Sequence, residues 1–160
     1  MFYKSKILVR EGLISLRKKW ADDGETVVFT NGCFDILHRG HVDYLNKDAA
    51  LGTKLIVAVN SDSSVATIKN PSRPIQDENS RAEIIAALVC VDAVIIFKEN
   101  TPYELLKVLV PDILVKGADY KPEEIVGYDI IMTSGGKVLT IDFLEGYSTS
   151  LIEKKIRGHL

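Results

Sequence analysis

Residues 26–41 read Thr26-Val27-Val28-Phe29-Thr30-Asn31-Gly32-Cys33-Phe34-Asp35-Ile36-Leu37-His38-Arg39-Gly40-His41. The opening run, Thr26–Thr30, is β-branched or aromatic and nearly continuous in apolar character, which predicts a strand buried on both faces. Gly32 lets the backbone turn tightly off that strand. Gly40 stands where a helix opens, leaving room for an anion to approach the main chain. Such a helix start offers unpaired N–H groups and the positive end of a dipole. His38 and His41, three positions apart, fall on one side of the opening turn. Two imidazoles there can donate to phosphate oxygens and stabilise charge on a leaving pyrophosphate. The pair admits two other readings: a structural coincidence, or a zinc site completed by Cys33 or Asp35. Neither a further histidine nearby nor a CxxC spacing supports zinc.

Outward from this stretch the chain keeps alternating. Comparable apolar runs recur at Lys54–Val59, Ala93–Phe97, Ile113–Val115 and Lys137–Phe143. Between them apolar residues take helical spacing. Leu13, Leu16 and Trp20 precede the first strand; Val42, Leu45 and Ala49 follow it. Ile84, Ile85 and Leu88, then Leu105, Leu106 and Leu109, form the next stripes, with a shorter stretch at Glu123–Met132 and a last at Leu151–Arg157. Thr101-Pro102-Tyr103-Glu104 predicts a hydroxyl N-cap, proline at the first helical position and a capping glutamate. Ser150-Leu151-Ile152-Glu153 predicts a second capping box with Ser150 as the cap. This order implies right-handed crossovers and a Rossmann-like, doubly wound α/β fold: a parallel five-stranded sheet with helices on both faces. One domain spans residues 1–160, an N-terminal helix at about 10–23 preceding a core at about 25–160. The ligand crevice of such a sheet lies outside the carboxyl ends of its strands, so the residues leaving each strand are the candidates.

Composition narrows the classes. The 160 residues carry 46% apolar and 26% charged side chains, as an ordinary globular domain does. A formal net charge of −2 gives no basic field for a nucleic-acid partner, so an anionic substrate must be held by local groups. The two cysteines, Cys33 and Cys90, form no spaced motif and point to a reduced, cytoplasmic setting. No apolar run nears the roughly 20 residues of a bilayer span, and the N-terminus shows no secretory h-region. Neither membrane nor nucleic acid is expected as a partner.

The other strand exits add candidates. After the second predicted strand, Asn60-Ser61-Asp62-Ser63-Ser64 reads as a polar turn, followed by the proline-ordered loop Lys69-Asn70-Pro71-Ser72-Arg73-Pro74. Lys69 and Arg73 can swing over phosphates there or remain solvated loop charges. The fourth run ends in Lys116-Gly117-Ala118-Asp119, where a cation and a bare backbone reach the crevice unless Lys116 pairs with Asp119. The last exit, Gly146-Tyr147-Ser148-Thr149-Ser150, holds three hydroxyls where one suffices to cap a helix, leaving Ser148 and Thr149 over.

Gly32-Cys33-Phe34-Asp35 followed by His38-Arg39-Gly40-His41 resembles the signature of the HxGH nucleotidyltransferase superfamily, which includes cytidylyltransferases and adenylyltransferases. The resemblance implies that His38 and His41 contact the triphosphate and the transition state, and that Lys69 is the catalytic loop lysine. It also places nucleotide-binding groups at Thr30, Asn31, Gly32, Cys33, Phe34, Asp35, Gly40, Arg73, Arg81, Lys116, Gly117, Asp119, Tyr147, Ser148, Thr149 and Ser150. Thr30–Asp35, Asn60-Ser61-Asp62, Arg73-Pro74, Cys90-Val91-Asp92, Pro111–Tyr120 and Glu145–Thr149 are together similar to the adenylyltransferases acting on D-glycero-β-D-manno-heptose 1-phosphate in ADP-heptose synthesis. Many of those are fused to a sugar kinase, and this chain is expected to act without one. Leu144 stands where glycerol-3-phosphate cytidylyltransferases usually carry arginine, and the Lys69–Arg73 loop lacks the glycine expected of the heptose group.

What the resemblance implies is in-line attack of a sugar 1-phosphate on the α-phosphorus of ATP, with Mg²⁺ bridging the phosphates and no covalent enzyme intermediate. A homodimer is implied on the same basis. A cytidylyltransferase, a flavin- or pantetheine-type adenylyltransferase and a non-catalytic nucleotide-binding module are the competing readings.

Overall fold

The computed structural model describes residues 2–158; Met1, His159 and Leu160 of the expected 1–160 domain lie outside the described residues. The strands are β1 (Val27–Gly32), β2 (Lys54–Asn60), β3 (Ala93–Phe97), β4 (Ile113–Gly117) and β5 (Lys137–Ile141). They form one sheet in the order β3-β2-β1-β4-β5, with every adjacent pair parallel. Val28 pairs with Leu55 on one side and Ile113 on the other. Chain order therefore reverses at β1, which makes its carboxyl end the switch point of the fold.

The helices are α1 (Arg10–Asp22), α2 (Arg39–Ala49), α3 (Asp62–Ile68), α4 (Glu78–Ala86), α5 (Tyr103–Leu109), α6 (Tyr128–Thr133) and α7 (Thr149–Ile156). Alternate strand residues face opposite layers. Phe29, Ile56 and Leu114 pack with Leu13, Leu106 and Ile131 from α1, α5 and α6. Val28, Val57 and Val115 pack with Leu45, Ala82 and Ile85 from α2 and α4. The expected doubly wound sheet is the observed one.

Several local expectations change. Burial holds for β1 to β4, including the edge strand β3, but not for β5, whose residues are exposed or half-buried. β5 stops at Ile141 rather than Phe143, and β4 runs on to Gly117. The stretch read as one helix over Glu123–Met132 splits into a 3₁₀ turn at Pro122–Glu124 and α6. Gly127, at φ 95°, breaks it, and a Cβ there would collide with Leu106. The polar turn after β2 is the start of α3: Ser61 caps it, its hydroxyl accepting from the Ser64 amide at 3.2 Å, and buried Val65 anchors it. Helix α5 opens at Tyr103 with Pro102, not Thr101, at the cap position. Helix α7 is capped by Ser148, whose hydroxyl accepts from the Leu151 amide at 3.1 Å, rather than by Ser150.

Candidate active site

The turn leaving β1 carries unusual backbone. Phe34 and Ile36 sit at φ 49° and 58°, a region that side chains, β-branched ones above all, rarely occupy. The surrounding bonds account for it. The Ile36 amide donates to Gln76 Oε1 at 3.2 Å, and the Asp35 carboxylate accepts from the amides of Ile75 and Gln76 at 2.8 and 3.0 Å. Thr149 Oγ1 donates to the Asp35 carbonyl at 2.9 Å. Arg81 Nη1 donates to the Cys33 carbonyl at 2.6 Å. The β1 turn is thus held by the loop between α3 and α4, by α4 and by α7.

That turn delivers the histidines. The rings of His38 and His41 stack with centroids 3.8 Å apart and planes 21° from parallel, and Phe34 meets His41 edge-on at 5.4 Å. Gly40 makes the stack possible, since a Cβ there would stand 3.0 Å from the His38 ring and 3.1 Å from Tyr147 Cβ. Burial, with the neighbouring His38 second, pushes the His41 imidazole down to about 4, and burial lowers His38 as well. Both rings are therefore neutral at pH 7. Each keeps a buried Nδ1 without a hydrogen-bond partner. An arriving anion would favour their protonation and satisfy their hydrogen-bonding capacity.

A cavity of about 630 Å³ opens over the carboxyl ends of the strands. His41 and the β1 exit from Asn31 to Asp35 line it from the middle, Lys69 and Arg73 from the loop after α3, Lys116 and Gly117 from β4, and Thr149 and Ser150 from α7. Groups nominated from four separate stretches of sequence are in this way brought to one opening. Lys116 is largely buried, which pushes its ammonium down to about 8, and it donates to the Asn31 carbonyl at 3.1 Å. It does not pair with Asp119, which is exposed. Burial also pushes the Cys33 thiol up, so Cys33 lines the wall as a neutral group.

Other nominated residues stand behind the cavity. Thr30 is wholly buried, its hydroxyl 3.0 Å from Tyr44 Oη and donating to the Val115 carbonyl. Arg81 is wholly buried and donates to Gln76 O, Cys33 O and Asp62 Oδ1, so its nearest link to a ligand runs through the Cys33 backbone. Ser148 is occupied as the α7 cap, which makes Thr149 and Ser150, not Ser148, the hydroxyl residues on the cavity wall. Tyr147 covers Gly40 and accepts from Arg39 Nη1 at 3.1 Å. Arg73 is held by two carboxylates: Nη1 lies 2.7 Å from Glu153 and Nε 2.8 Å from Asp35, although the Nε–H is not aimed at that oxygen.

Sequence reasoning missed part of the wall. Asn100 and Thr101 leave β3 at the same edge, and Tyr120, Glu124 and Ile125 follow β4. The strand-exit rule would have nominated Asn100 and Thr101 had the stretch not been read only as a helix cap. Phe143 covers Gly117, where any Cβ would overlap its ring. A second cavity of about 550 Å³ lies at the opposite, amino edge of the sheet beside Arg17, Lys18 and Lys137. Arg17 there donates to the Val110 carbonyl at 3.0 Å and pairs with Asp112 at 3.2 Å. Its cations suit the negative ends of the helices that terminate on that side, and none of the nominated residues reaches it. Among the described residues no group of three or more His, Cys, Asp or Glu is placed to hold a metal ion. No helix among them is long and apolar enough to cross a membrane.

A family model described as cytidylyltransferase-like matches residues 29–155. The bifunctional protein HldE of Azorhizobium caulinodans is 48% identical over 151 residues, which are 94% of this chain and 32% of that protein. Its counterpart in Syntrophotalea carbinolica is 51% identical over 154 residues, 96% of this chain and 31% of the relative. The chain thus spans about a third of the length of these relatives. Among solved structures, the lipopolysaccharide core biosynthesis protein from Thermoplasma volcanium aligns with a TM-score of 0.64 and 35% identity, covering 76% of this chain and 100% of that one. Pantoate-beta-alanine ligase from Francisella tularensis aligns at 0.60 with 15% identity over 96% of this chain and 77% of its own, a likeness of fold.

Proposed function

The chain belongs to the cytidylyltransferase-like family, and from that premise we propose that it transfers AMP from ATP to D-glycero-β-D-manno-heptose 1-phosphate, yielding ADP-heptose and pyrophosphate. The observation that supports this most is the convergence of His41, Lys69, Lys116 and Thr149 on one cavity at the β1 switch point. Among the described residues, Lys69 and Lys116 bring cations to that cavity that no carboxylate on its wall pairs with, whereas Arg73 is taken up by Asp35 and Glu153.

An acceptor phosphate oxygen attacks the α-phosphorus of ATP. The new O–P bond forms as the bond to the β-phosphate oxygen breaks, and both electrons leave with pyrophosphate. The acceptor is already an anion, so no strong general base is needed, and the protein's work is positioning and charge neutralisation. The stacked histidines and the start of α2 take the phosphates from one side. Lys69, exposed on its loop, closes from another, and Ser150 donates its hydroxyl from α7, where the Thr149 hydroxyl is already given to the Asp35 carbonyl. Mg²⁺ enters as part of the ATP substrate. The protein offers it little: the Asp35 oxygens already accept two backbone amides and face Arg73. The same reading makes the protein cytoplasmic and homodimeric.

Pyrophosphate release with ATP and heptose 1-phosphate, set beside ATP or CTP with glycerol 3-phosphate, tests it. Turnover confined to ATP with the heptose phosphate is the expected result. Preference for CTP, or nucleotide binding without turnover on any acceptor, would replace this reading with a cytidylyltransferase or a binding module.

A further inference from the structure

Helix α7 contributes Thr149 and Ser150 to the cavity, yet none of its residues is buried. Leu151 is 37% exposed and Ile156 76% exposed, so apolar burial contributes little to holding it against the sheet. Two polar ties do so instead. One is the bond from Thr149 Oγ1 to the Asp35 carbonyl. The other is Glu153, one turn further on, whose Oε1 lies 2.7 Å from Arg73 Nη1.

Arg73 is well placed for this. Its side chain is 14% exposed, so the pair is shielded from water and stronger than an ordinary surface bridge. The same guanidinium contacts Asp35, on the β1 turn, and its backbone belongs to the loop that carries Lys69. One side chain therefore joins three of the segments that meet at the cavity. The two contacts are ion pairs of similar length, 2.8 Å to Asp35 and 2.7 Å to Glu153, so the guanidinium is shared between the β1 turn and α7.

We propose that Glu153 is a positioning residue: through Arg73 it latches α7 and the Lys69 loop onto the β1 turn, holding Thr149 and Ser150 at the nucleotide phosphates. The kinetic part of this rests on the adenylyl-transfer reading; the structural part does not. Simple electrostatics makes the opposite prediction. A carboxylate on the wall of a polyphosphate site repels its ligand, so removing its charge would tighten binding if Glu153 did nothing else. The sign of the effect separates the two.

The test compares Glu153→Gln and Glu153→Asp with the wild type. In the free protein, Glu153→Gln is expected to speed hydrogen exchange at the α7 amides while leaving the inner strands and the melting temperature unchanged. Affinity for α,β-methylene ATP, read by calorimetry, should fall about fivefold, the scale of a partly shielded ion pair. KM for ATP should rise in parallel, with kcat falling less than twofold, and Glu153→Asp should recover part of the loss. Unchanged exchange in α7, tighter nucleotide binding, or faster exchange with unaltered affinity would each overturn the proposal. A wild-type protein that binds no nucleotide would overturn the adenylyl-transfer reading, and the latch would then be judged by exchange alone.

Discussion

His38 and His41 stack face to face at 3.8 Å, and both imidazoles are driven towards the neutral form by burial. A base whose folded-state pKa lies below its unfolded value takes up protons more readily when the chain unfolds. His41, near 4 when folded against 6.5, therefore makes stability fall as pH drops from about 6.5 towards 4. The urea midpoint should be lower at pH 5 than at pH 7.5, and His41→Gln should flatten that difference. The same variant should stay folded at pH 7.5 while turnover drops by about 10²–10³, the scale of losing one charge-neutralising donor. Near-normal turnover would remove His41 from the mechanism.

Asp48, on α2, is wholly buried; no hydrogen bond of ordinary geometry reaches either carboxylate oxygen, and the nearby Thr30 hydroxyl favours its ionised form only in part. Burial raises its carboxyl to about 8 from 3.8. An acid with a raised folded pKa loses stability as pH climbs between those two values, because the unfolded chain has already released the proton. Asp48→Asn should stabilise the protein by about 1–3 kcal/mol, with the larger gain at pH 8 and the smaller at pH 5. A destabilised Asp48→Asn protein at pH 8 would show that the carboxylate has a partner in solution.

Much of the architecture is written locally. The inner strands are continuous apolar runs, and Gly32 and Gly40 bracket the β1 turn, so sheet, switch point and the position of the crevice follow from short stretches. The departures arise where a local pattern has two physical uses. Ser61 caps α3 from inside a Ser/Asp/Asn cluster that looks like a turn. The apparent box Ser150…Glu153 fits the capping pattern, but the glutamate is engaged by Arg73 and the cap is Ser148. Residues whose role depends on a distant partner were the least legible. Arg73 reads as a phosphate ligand until Asp35 and Glu153 are seen on it, and Arg81 until its three protein acceptors are. Phe143 had no signal at all, because its meaning is the absent side chain of Gly117.

That contact gives a third prediction. A methyl group on Gly117 would overlap the Phe143 ring, but the ring is half exposed and free to swing outwards. Gly117→Ala should therefore disturb the cavity wall more than the fold. KM for ATP should rise about tenfold, within the range of losing one aromatic contact, while the melting temperature changes little. Phe143→Ala should show a similar KM, and adding Gly117→Ala to it should cost almost nothing further. Additive losses in the double variant would place the two residues in separate roles.

Lys116 links the chemistry to pH. Its ammonium lines the cavity, is lowered to about 8 chiefly by burial, and is supported in the opposite direction by Cys33 and Asp48. The cation that would face the phosphates is thus present below pH 8 and lost above it, so kcat/KM for ATP should decline on the alkaline side with a midpoint near 8. Arginine stays protonated throughout this range, and Lys116→Arg should move the limb to higher pH even if its maximum is lower. Lys116→Met should lose most of the activity at every pH. Asp48→Asn removes one of the two groups that favour the charged lysine, so its alkaline limb should shift to lower pH. An alkaline limb unmoved by Lys116→Arg would mean that another group carries the titration and that Lys116 serves only to hold the Asn31 carbonyl at the end of β1.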